Sequence, residues 1–383
     1  MLVPDYTDAG LVNLMASIAR GVGAPPTGHP PLQAVAPEGL AGRKVVLLVV
    51  DGLGDAFLAR LGPSRLLQHR VGRLSSVFPT TTATAITTFA TGLAPRAHGV
   101  TGWFTYFREL GSVAAVLPFR PRHGGPSYSE AGITPTELVG GPPLADRASI
   151  PCHVVSPHYI VDSDYSRATA GTAERHGYRD VGGFFDRLRA ILGQPGPSYT
   201  FAYWPELDAR MHRHGVGSRE VSEHFRTFDN AFADFVDGMA GSGATLLATA
   251  DHGVIDTEAT HALRLEDHPQ LAEHLVLPLC GDPRVAFCYL REGHRGAFTD
   301  YVESKLGHAC QLVDSRELIA SGYFGPGATH PRLHDRVGDV ALVMRDNYIL
   351  RDHLPTEKSY TLIGVHGGLS AEELYVPLMR VDL

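Results

Sequence analysis

Five short segments of this sequence carry side chains that could hold metal ions or attack an ester. They are Val50-Asp51-Gly52, Phe78-Pro79-Thr80-Thr81-Thr82-Ala83-Thr84, Asp208-Ala209-Arg210-Met211-His212, Ala250-Asp251-His252-Gly253 and His366-Gly367-Gly368-Leu369-Ser370. Each segment alone has a simpler interpretation, because Asp and Thr also cap helices and residues four apart also form surface ion pairs. The set as a whole is what indicates chemistry.

The acidic and histidine residues of these segments suit two divalent metal ions. Two such ions about 4 Å apart stabilise the attacking and leaving oxygens of phosphoryl transfer. Zinc accepts a mixture of carboxylate and imidazole ligands, and manganese or iron would accept the same ligands. The sequence supplies enough of them for two sites of three side chains each: Asp51, Asp208, His212, Asp251, His252 and His366.

The threonine cluster offers a nucleophile. Thr80, Thr81 and Thr82 follow Pro79 and open a predicted helix, whose N-terminus would present backbone N–H groups to a phosphoryl oxygen. A hydroxyl group bound to a metal there could lose its proton near neutral pH. The simpler alternative is that the cluster only caps the helix.

Three predicted strands deliver these residues to one edge of a sheet. Residues 45–50 form a continuous aliphatic run typical of a strand buried on both faces, and residues 199–204 and 244–250 are further apolar runs. An acidic residue follows each run. Predicted helices at 82–90, 182–192 and 219–239 alternate with the strands, which indicates an α/β fold with a doubly wound, mostly parallel sheet.

The chain is expected to form a single domain over residues 1–383. Two stretches, at about 104–198 and 284–357, do not follow the alternation of strand and helix and are interpreted as insertions on the core. Such insertions could form a lid or a wall of the substrate site.

Composition narrows the possible partners and location. The formal charge of −8, the pI near 6.2 and the lack of a basic run argue against nucleic-acid polymers and anionic membranes as partners. The longest apolar run falls far short of the ~20 residues that span a bilayer. No secretory signal pattern is visible at the N-terminus, so a cytoplasmic protein is expected. The four cysteines are scattered without a CxxC pair, and free, mostly buried thiols are expected.

In their order and spacing, the motifs resemble the type I phosphodiesterase/nucleotide pyrophosphatase family of the alkaline phosphatase superfamily. The resemblance rests on the five segments together with Thr91-Gly92-Leu93 and His98-Gly99, and it covers residues from about 43 to 380. It implies an alkaline-phosphatase-like core and a small phosphodiester or nucleotide as substrate.

The resemblance also implies a role for each site residue. One metal would be held by Asp51, Thr82, Asp251 and His252, and the second by Asp208, His212 and His366. Thr82 would attack phosphorus and form a covalent phosphothreonine that water later hydrolyses. Thr82 is chosen because its nine-residue distance to the Thr-Gly-Leu motif matches the family's nucleophile, and Thr81 is the second choice.

One departure from the family concerns substrate binding. Many nucleotide pyrophosphatases follow the nucleophile with Phe-Pro-Asn, whose Asn helps to hold a phosphoryl oxygen, whereas Ala83, Thr84 and Ala85 stand here. Thr84 is a candidate substitute for that Asn. The aromatic residues Trp103 and Tyr203 are candidates to stack on a base or an apolar ester group.

Two alternatives to a phosphodiesterase stay open. The same two-metal core could hydrolyse phosphonates or phosphomonoesters, or act as a phosphomutase. The chain could also be a metal-stabilised binding module without turnover, although all six ligand candidates and the nucleophile are present. A sulfatase is disfavoured, because the sulfatases of the superfamily use a modified Cys or Ser in a Cys/Ser-x-Pro-x-Arg motif.

Overall fold

Two large sheets organise the computed structural model, which describes residues 1–357 and 361–383. Within these residues, each of the two sheets has seven strands, and two small sheets have two strands each. The strands are β1 (Lys44–Val50), β2 (Arg70–Ser75), β3 (Phe104–Phe107), β4 (Ser112–Ala115), β5 (Arg120–Pro121), β6 (Cys152–Pro157), β7 (Glu174–Tyr178), β8 (Ser198–Trp204), β9 (Ala244–Thr249), β10 (Ile255–Asp256), β11 (Ala262–Arg264), β12 (Cys280–Asp282), β13 (Val285–Cys288), β14 (Cys310–Asp314), β15 (Val340–Met344), β16 (Ile349–Arg351), β17 (Gly364–Val365) and β18 (Tyr375–Asp382).

The first sheet has the strand order β2-β18-β9-β1-β8-β6-β7. The five strands from β9 to β7 are parallel, while β18 runs antiparallel to both β9 and β2. All residues of β1 after Lys44 are buried, as expected for an aliphatic strand covered on both faces. The mostly parallel α/β sheet predicted from the sequence is confirmed, and so are the three strands that were predicted to build it.

Helices connect the strands and cover both faces of the first sheet. The α-helices are α1 (Leu11–Gly21), α2 (Asp55–Arg60), α3 (Arg65–Gln68), α4 (Thr82–Thr91), α5 (Pro95–His98), α6 (Asp164–Ala170), α7 (Val181–Leu192), α8 (Glu206–His214), α9 (Arg219–Gly238), α10 (Pro269–Ala272), α11 (Arg295–Tyr301), α12 (Ser315–Ala320), α13 (Leu333–Arg336) and α14 (Ala371–Leu374). The predicted helices at 82–90, 182–192 and 219–239 are confirmed as α4, α7 and α9.

Ring contacts on β8 locate the helices on each face. Phe201 contacts Phe89 of α4, whereas Trp204 contacts Phe184 of α7 and Phe228 of α9. Side chains three apart on a strand point to opposite faces, so α4 lies on one side of the sheet and α7 and α9 lie on the other.

The second sheet has the order β14-β15-β13-β12-β3-β4-β5, and all its pairs are antiparallel. Its strands come from residues 104–121 and 280–344, which lie within or beside the two predicted insertions. The rest of the first predicted insertion behaves differently, because β6 and β7 join the first sheet instead. That the chain forms a single catalytic domain stays a prediction.

No helix in the part of the chain that the structure describes is long and apolar enough to cross a bilayer. The four cysteines are free, and three of them, Cys280, Cys288 and Cys310, are buried. The cytoplasmic location stays a prediction.

Candidate active site

The residues predicted to bind metal meet at the carboxyl end of the first sheet. Asp51 follows β1, and Asp251 and His252 follow β9. Asp208 and His212 lie on α8, which begins two residues after β8 ends, and Thr82 is the first residue of α4. His366 directly follows β17. This strand pairs with β10, which begins a few residues after His252, and the pairing brings the C-terminal segment to the same edge.

Two groups of side chains have the spacing needed to hold a metal ion. Asp51, Asp208 and His252 form one group, and Asp208, His212 and His366 form the other. In the first, His252 Nε2 lies 3.5 Å from Asp51 Oδ1; Asp251, which is outside this group, places Oδ2 3.4 Å from the same nitrogen. In the second, Asp208 Oδ2 lies 3.0 Å from His212 Nε2, and Asp208 Oδ1 lies 4.0 Å from His366 Nε2. Asp208 belongs to both groups, so its carboxylate lies between the two positions.

All three histidines turn the same ring nitrogen toward the metal positions. Each places Nδ1 near a backbone carbonyl: His212 at 2.7 Å from Gly364 O, His366 at 3.1 Å from Thr80 O, and His252 at 3.2 Å from Gly253 O. When Nδ1–H donates to that carbonyl, Nε2 keeps its lone pair for a metal. This is the usual arrangement around a metal-binding histidine.

The carboxylates are buried in a way that a cation would explain. Asp51, Asp208 and Asp251 are at most 7% exposed, and each keeps one oxygen without a hydrogen-bond partner among the described residues: Asp51 Oδ1, Asp208 Oδ1 and Asp251 Oδ2. Leaving buried carboxylate oxygens unpaired is costly unless a counter-ion satisfies them. The donor set and its orphaned oxygens therefore fit two divalent cations.

Burial and mutual repulsion perturb the protonation of this cluster. Burial, together with the charges of Asp251 and Asp208, raises the pKa of Asp51 well above its ordinary value. Burial also acts to raise the pKa of Asp208, but the charge and hydrogen bond of His212 and the charges of the other two site histidines together outweigh it, and the pKa falls. Burial lowers the pKa of His366 well below normal, with the neighbouring His252 adding to the effect. Burial acts to lower the pKa of His212, but the charge and hydrogen bond of Asp208, with the hydrogen bond to Gly364 O, overcome it and raise the pKa to about 9.

The three neighbouring threonines have different partners. Thr80 Oγ1 donates to Gly368 O at 2.7 Å, and Thr81 Oγ1 donates to a carboxylate oxygen of Asp282 at 3.1 Å. Thr82 Oγ1 lies 3.2 Å from His252 Nε2. Thr81 is the N-cap of α4 without a capping side-chain bond, so helix capping does not account for the cluster. Of the three threonines, Thr82 is the one whose hydroxyl group faces the predicted metal positions.

The predicted substrate-binding residues lie in different surroundings. Trp103 and Tyr203 line a cavity of about 1010 Å³ that also reaches Asp51 and Thr82. The Tyr203 hydroxyl donates to Asp51 Oδ2, so it contacts a predicted metal ligand. Thr84 is fully buried and does not line the cavity, and its hydroxyl has no partner in the part of the chain that the structure describes.

Asp282 is a site residue that the sequence reading missed. Its carboxylate accepts from the Thr81 hydroxyl and from the Trp103 backbone N–H at 3.1 Å, and it lines the same cavity. Burial raises its pKa to about 7. A signal was present, since Asp282 ends a short strand after Cys280-Gly281, but the pairing of that strand was not visible in the sequence.

A buried ion pair supports the segment that carries His366. Arg284 donates to both carboxylate oxygens of Glu373, at 3.2 and 3.0 Å, and Glu373 also accepts from Gly368 N at 2.7 Å. Both charged side chains are at most 2% exposed. Arg284 lies between β12 and β13 of the second sheet, and Glu373 lies on α14, directly before β18 of the first. The pair therefore links the two sheets and holds the glycine-rich turn after His366 between them.

Gly52 permits the close approach of Asp208. Its φ is 75°, and a Cβ atom there would lie 3.0 Å from the Asp208 Cβ. A side chain at this position would be strained and would push Asp208 away from Asp51.

Comparisons with known proteins agree with this geometry. The sequence model of the type I phosphodiesterase/nucleotide pyrophosphatase family matches residues 45–369. A search of curated protein sequences found no match.

Solved structures share the fold. Murine ectonucleotide pyrophosphatase/phosphodiesterase 5 superposes with a TM-score of 0.67 at 18% identity, covering 88% of this chain and 87% of that one. An inactive variant of that murine protein, with a threonine replaced by alanine and in complex with AMP, gives a TM-score of 0.66 at 18% identity and the same coverage. Phosphonoacetate hydrolase from Sinorhizobium meliloti, in complex with phosphonoformate, gives 0.63 at 19% identity, covering 88% of this chain and 90% of that one.

Proposed function

Because this chain belongs to the type I phosphodiesterase/nucleotide pyrophosphatase family, we propose that it hydrolyses small phosphodiesters or nucleotide phosphoanhydrides with Thr82 as nucleophile. The family consists of hydrolases of phosphoester and phosphoanhydride bonds. The nucleophile, the metal assignment and the choice of substrate are the parts that we propose.

One observation carries the choice of Thr82. Its hydroxyl lies 3.2 Å from His252 Nε2, whereas the hydroxyls of Thr80 and Thr81 are engaged elsewhere. Thr82 also begins α4, where backbone N–H groups without helical partners favour a phosphoryl oxygen. The inactive threonine-to-alanine variant of the murine neighbour is consistent with a threonine in this role.

Two cations would be held by the residues that the sequence indicated, with Asp208 between them. When bound, they would neutralise negative charge on the phosphoryl group and make the Thr82 hydroxyl easier to deprotonate. Zinc suits the mixture of carboxylate and imidazole donors, and manganese or iron suits it too.

The reaction proceeds in two displacements. Thr82 Oγ forms a bond to phosphorus as the bond from phosphorus to the leaving oxygen breaks, and the leaving group gains the proton that Thr82 loses. Water then attacks the phosphothreonine, which frees the phosphate product and restores the hydroxyl. The tyrosine hydroxyl of Tyr203 holds Asp51 in place through both steps.

A phosphonate or phosphomonoester substrate is the second candidate. The fold of phosphonoacetate hydrolase matches nearly as well as that of the murine phosphodiesterase. In addition, the Asn of many nucleotide pyrophosphatases is missing, and Thr84 is buried outside the cavity, so it does not replace that Asn at the substrate. Both observations weaken a specific preference for nucleotides.

Relative rates on three substrates test the proposal. The zinc-loaded protein would be assayed with bis-p-nitrophenyl phosphate, p-nitrophenyl phosphate and phosphonoacetate, with a chelator and with zinc added back as controls. A preference for the diester that chelation abolishes and zinc restores supports the proposal. Faster turnover of the monoester or the phosphonate would favour the second candidate, and no turnover by fully loaded protein would favour a binding module.

A further inference from the structure

A second concentration of metal-binding side chains lies on the edge of the first sheet. His153 is on β6, and Glu174 and His176 are on β7, the last strand in the sheet order. His153 is the register partner of Glu174, and Glu174 and His176 are two residues apart, so all three side chains lie on the same face.

This cluster lies at the opposite end of the strands from the predicted metal ligands of the active site. Its position follows from the strand register: His153 pairs with Thr200 of β8, and Thr200 pairs with Val46 of β1. Val46 precedes Asp51 by five residues, which is roughly 16 Å of extended strand. The cluster therefore lies toward the amino end of the strands, opposite the edge where Asp51 and His252 meet, so it could not share an ion with them, although His153 lines the same large cavity.

The distances suit one ion bound by three ligands. His153 Nδ1 lies 3.1 Å from His176 Nε2 and 3.6 Å from Glu174 Oε2, and His176 Nε2 lies 3.8 Å from Glu174 Oε1. Ligand atoms about 2.0–2.1 Å from a tetrahedral zinc ion are about 3.3 Å apart. Small side-chain adjustments would therefore bring all three atoms to bonding distance.

A plain hydrogen bond between two imidazoles explains less of this arrangement. Such a bond would satisfy one nitrogen on each ring, but it would leave the carboxylate of Glu174 without a role at 3.6 to 3.8 Å from both rings. Burial lowers the pKa of both histidines, which keeps them in the neutral form that a metal requires. The Glu174 side chain is 65% exposed, so water has access to the fourth coordination position.

We propose that His153, Glu174 and His176 bind one zinc ion that joins the edge strand β7 to β6. Two imidazoles and one carboxylate are a ligand set that zinc accepts with water as its fourth ligand. The ion would link β6 to β7, the last strand in the order of the first sheet. This proposal does not rest on the proposed function, because none of its ligands is a residue proposed for catalysis or for holding the two cations of the active site.

The bound metal of the full chain tests the proposal. Wild type, His176→Ala and Glu174→Ala would be loaded with zinc, dialysed against metal-free buffer and analysed for zinc per chain. Each variant should retain one ion fewer than wild type and hydrolyse the preferred substrate at an unchanged rate. Glu174 is an exposed side chain, so its variant remains informative if His176→Ala folds poorly.

A second histidine pair serves as the matched control. His274 and His294 approach each other at 2.9 Å between Nδ1 atoms, but the described residues provide no third ligand there. His274→Ala should retain as many ions as wild type. Equal zinc content in wild type, His176→Ala and Glu174→Ala, or the same loss in His274→Ala, would overturn the proposal.

In crystals of the zinc-loaded protein, an anomalous zinc peak between the three side chains should also be present, and its absence would count equally against the proposal.

Discussion

Tyr203 presents a buried hydroxyl to a predicted metal ligand. It donates to Asp51 Oδ2 and leaves Asp51 Oδ1 free for a cation. Removing such a supporting hydrogen bond commonly costs about 10–100-fold in metal affinity. We expect Tyr203→Phe to weaken zinc binding by that factor, as measured by competition with a chelator, and to regain activity when zinc is in excess.

Tyr199 offers a matched control for Tyr203. It lies on the same strand and the same face, four residues away, and its buried hydroxyl has no partner within residues 1–357 and 361–383. Tyr199→Phe therefore removes a hydroxyl group of the same kind without removing a bond. If both variants lost metal affinity equally, the hydrogen bond to Asp51 would not be the cause.

Thr82 and Thr81 are adjacent hydroxyls with different partners. Loss of a nucleophile can reduce turnover by many orders of magnitude, so Thr82→Ala should reduce kcat by at least about 10³-fold. Thr81→Ala removes only the bond to Asp282 and should keep most of the activity. Mass spectrometry of acid-quenched wild-type protein should locate the phosphoryl group on Thr82. Phosphorylation of Thr81, or a larger loss in Thr81→Ala, would reverse the assignment.

His212 predicts how metal binding depends on pH. With its pKa raised to about 9 beside Asp208, the ring of the metal-free protein carries a proton on Nε2 at neutral pH. A metal ion must displace that proton, so affinity should increase as pH rises toward about 9 and then level off. Calorimetry in buffers of different ionisation enthalpy should detect at least about one proton released per chain near pH 7.5. Binding without proton release would contradict the raised pKa.

The sequence indicated the chemistry of the site residues but not all of their partners. The residue types and the ends of the apolar runs were enough to select Asp51, Asp208, His212, Asp251, His252 and His366. Thr82 could be preferred over Thr81 only by resemblance, whereas the structure separates them by their hydrogen bonds. Asp282 was missed because its role depends on a contact between residues about 200 positions apart.

The turn that carries His366 depends on the ion pair between Arg284 and Glu373. Removing one partner of a buried pair leaves the other charge uncompensated, which typically costs about 3–5 kcal/mol. Glu373→Ala should therefore lower the free energy of unfolding in denaturant by that amount, and it should weaken metal binding through displacement of His366. In contrast, Glu223→Ala, which breaks the exposed pair with Arg219, should leave both quantities unchanged. Similar stability of the two variants would show that the buried pair does not hold the turn.

The two sheets differ in how far the sequence predicts them. The parallel strands of the first sheet are continuous apolar runs because helices cover both faces, and such runs are readable without knowing the partners. The second sheet is built from short antiparallel strands in two distant parts of the chain, joined where Gly281 pairs with Phe104. Nothing local in either segment encodes that pairing, which explains why both parts were interpreted only as insertions.

At the scale of the whole molecule, residues of both sheets and their connections line the cavity. Asp51, Asp208 and Thr82 are supplied by the first sheet and its connections, while Phe104 and Asp282 come from the second. The proposed catalytic groups are thus held mostly by the first sheet and its connections, while the second sheet forms the opposite wall and contacts the site through Asp282 and Arg284. This division is consistent with phosphodiesterases and a phosphonate hydrolase sharing the fold.

The metal ions should also decide how stable the molecule is. Without them, Asp51 lies buried among Asp208 and Asp251, and its raised pKa shows that its charged form is disfavoured in the folded state. Replacing Asp51 by a neutral isostere should then stabilise the metal-free protein, by roughly 0.5–2 kcal/mol on the scale of ordinary stabilising substitutions. The bond from Tyr203 is retained by the amide oxygen, so little else changes.

With zinc present, the order of stabilities should reverse. A ligand at 100 times its Kd adds about 2.7 kcal/mol per site, and Asp51→Asn loses part of that contribution. Thermal unfolding of wild type and Asp51→Asn, each with chelator and with excess zinc, would measure both effects in one experiment. We expect Asp51→Asn to unfold at the higher temperature in chelator and at the lower temperature in zinc. If wild type unfolded at the higher temperature in both conditions, the Asp51 carboxylate would not destabilise the metal-free protein, and this prediction would be wrong.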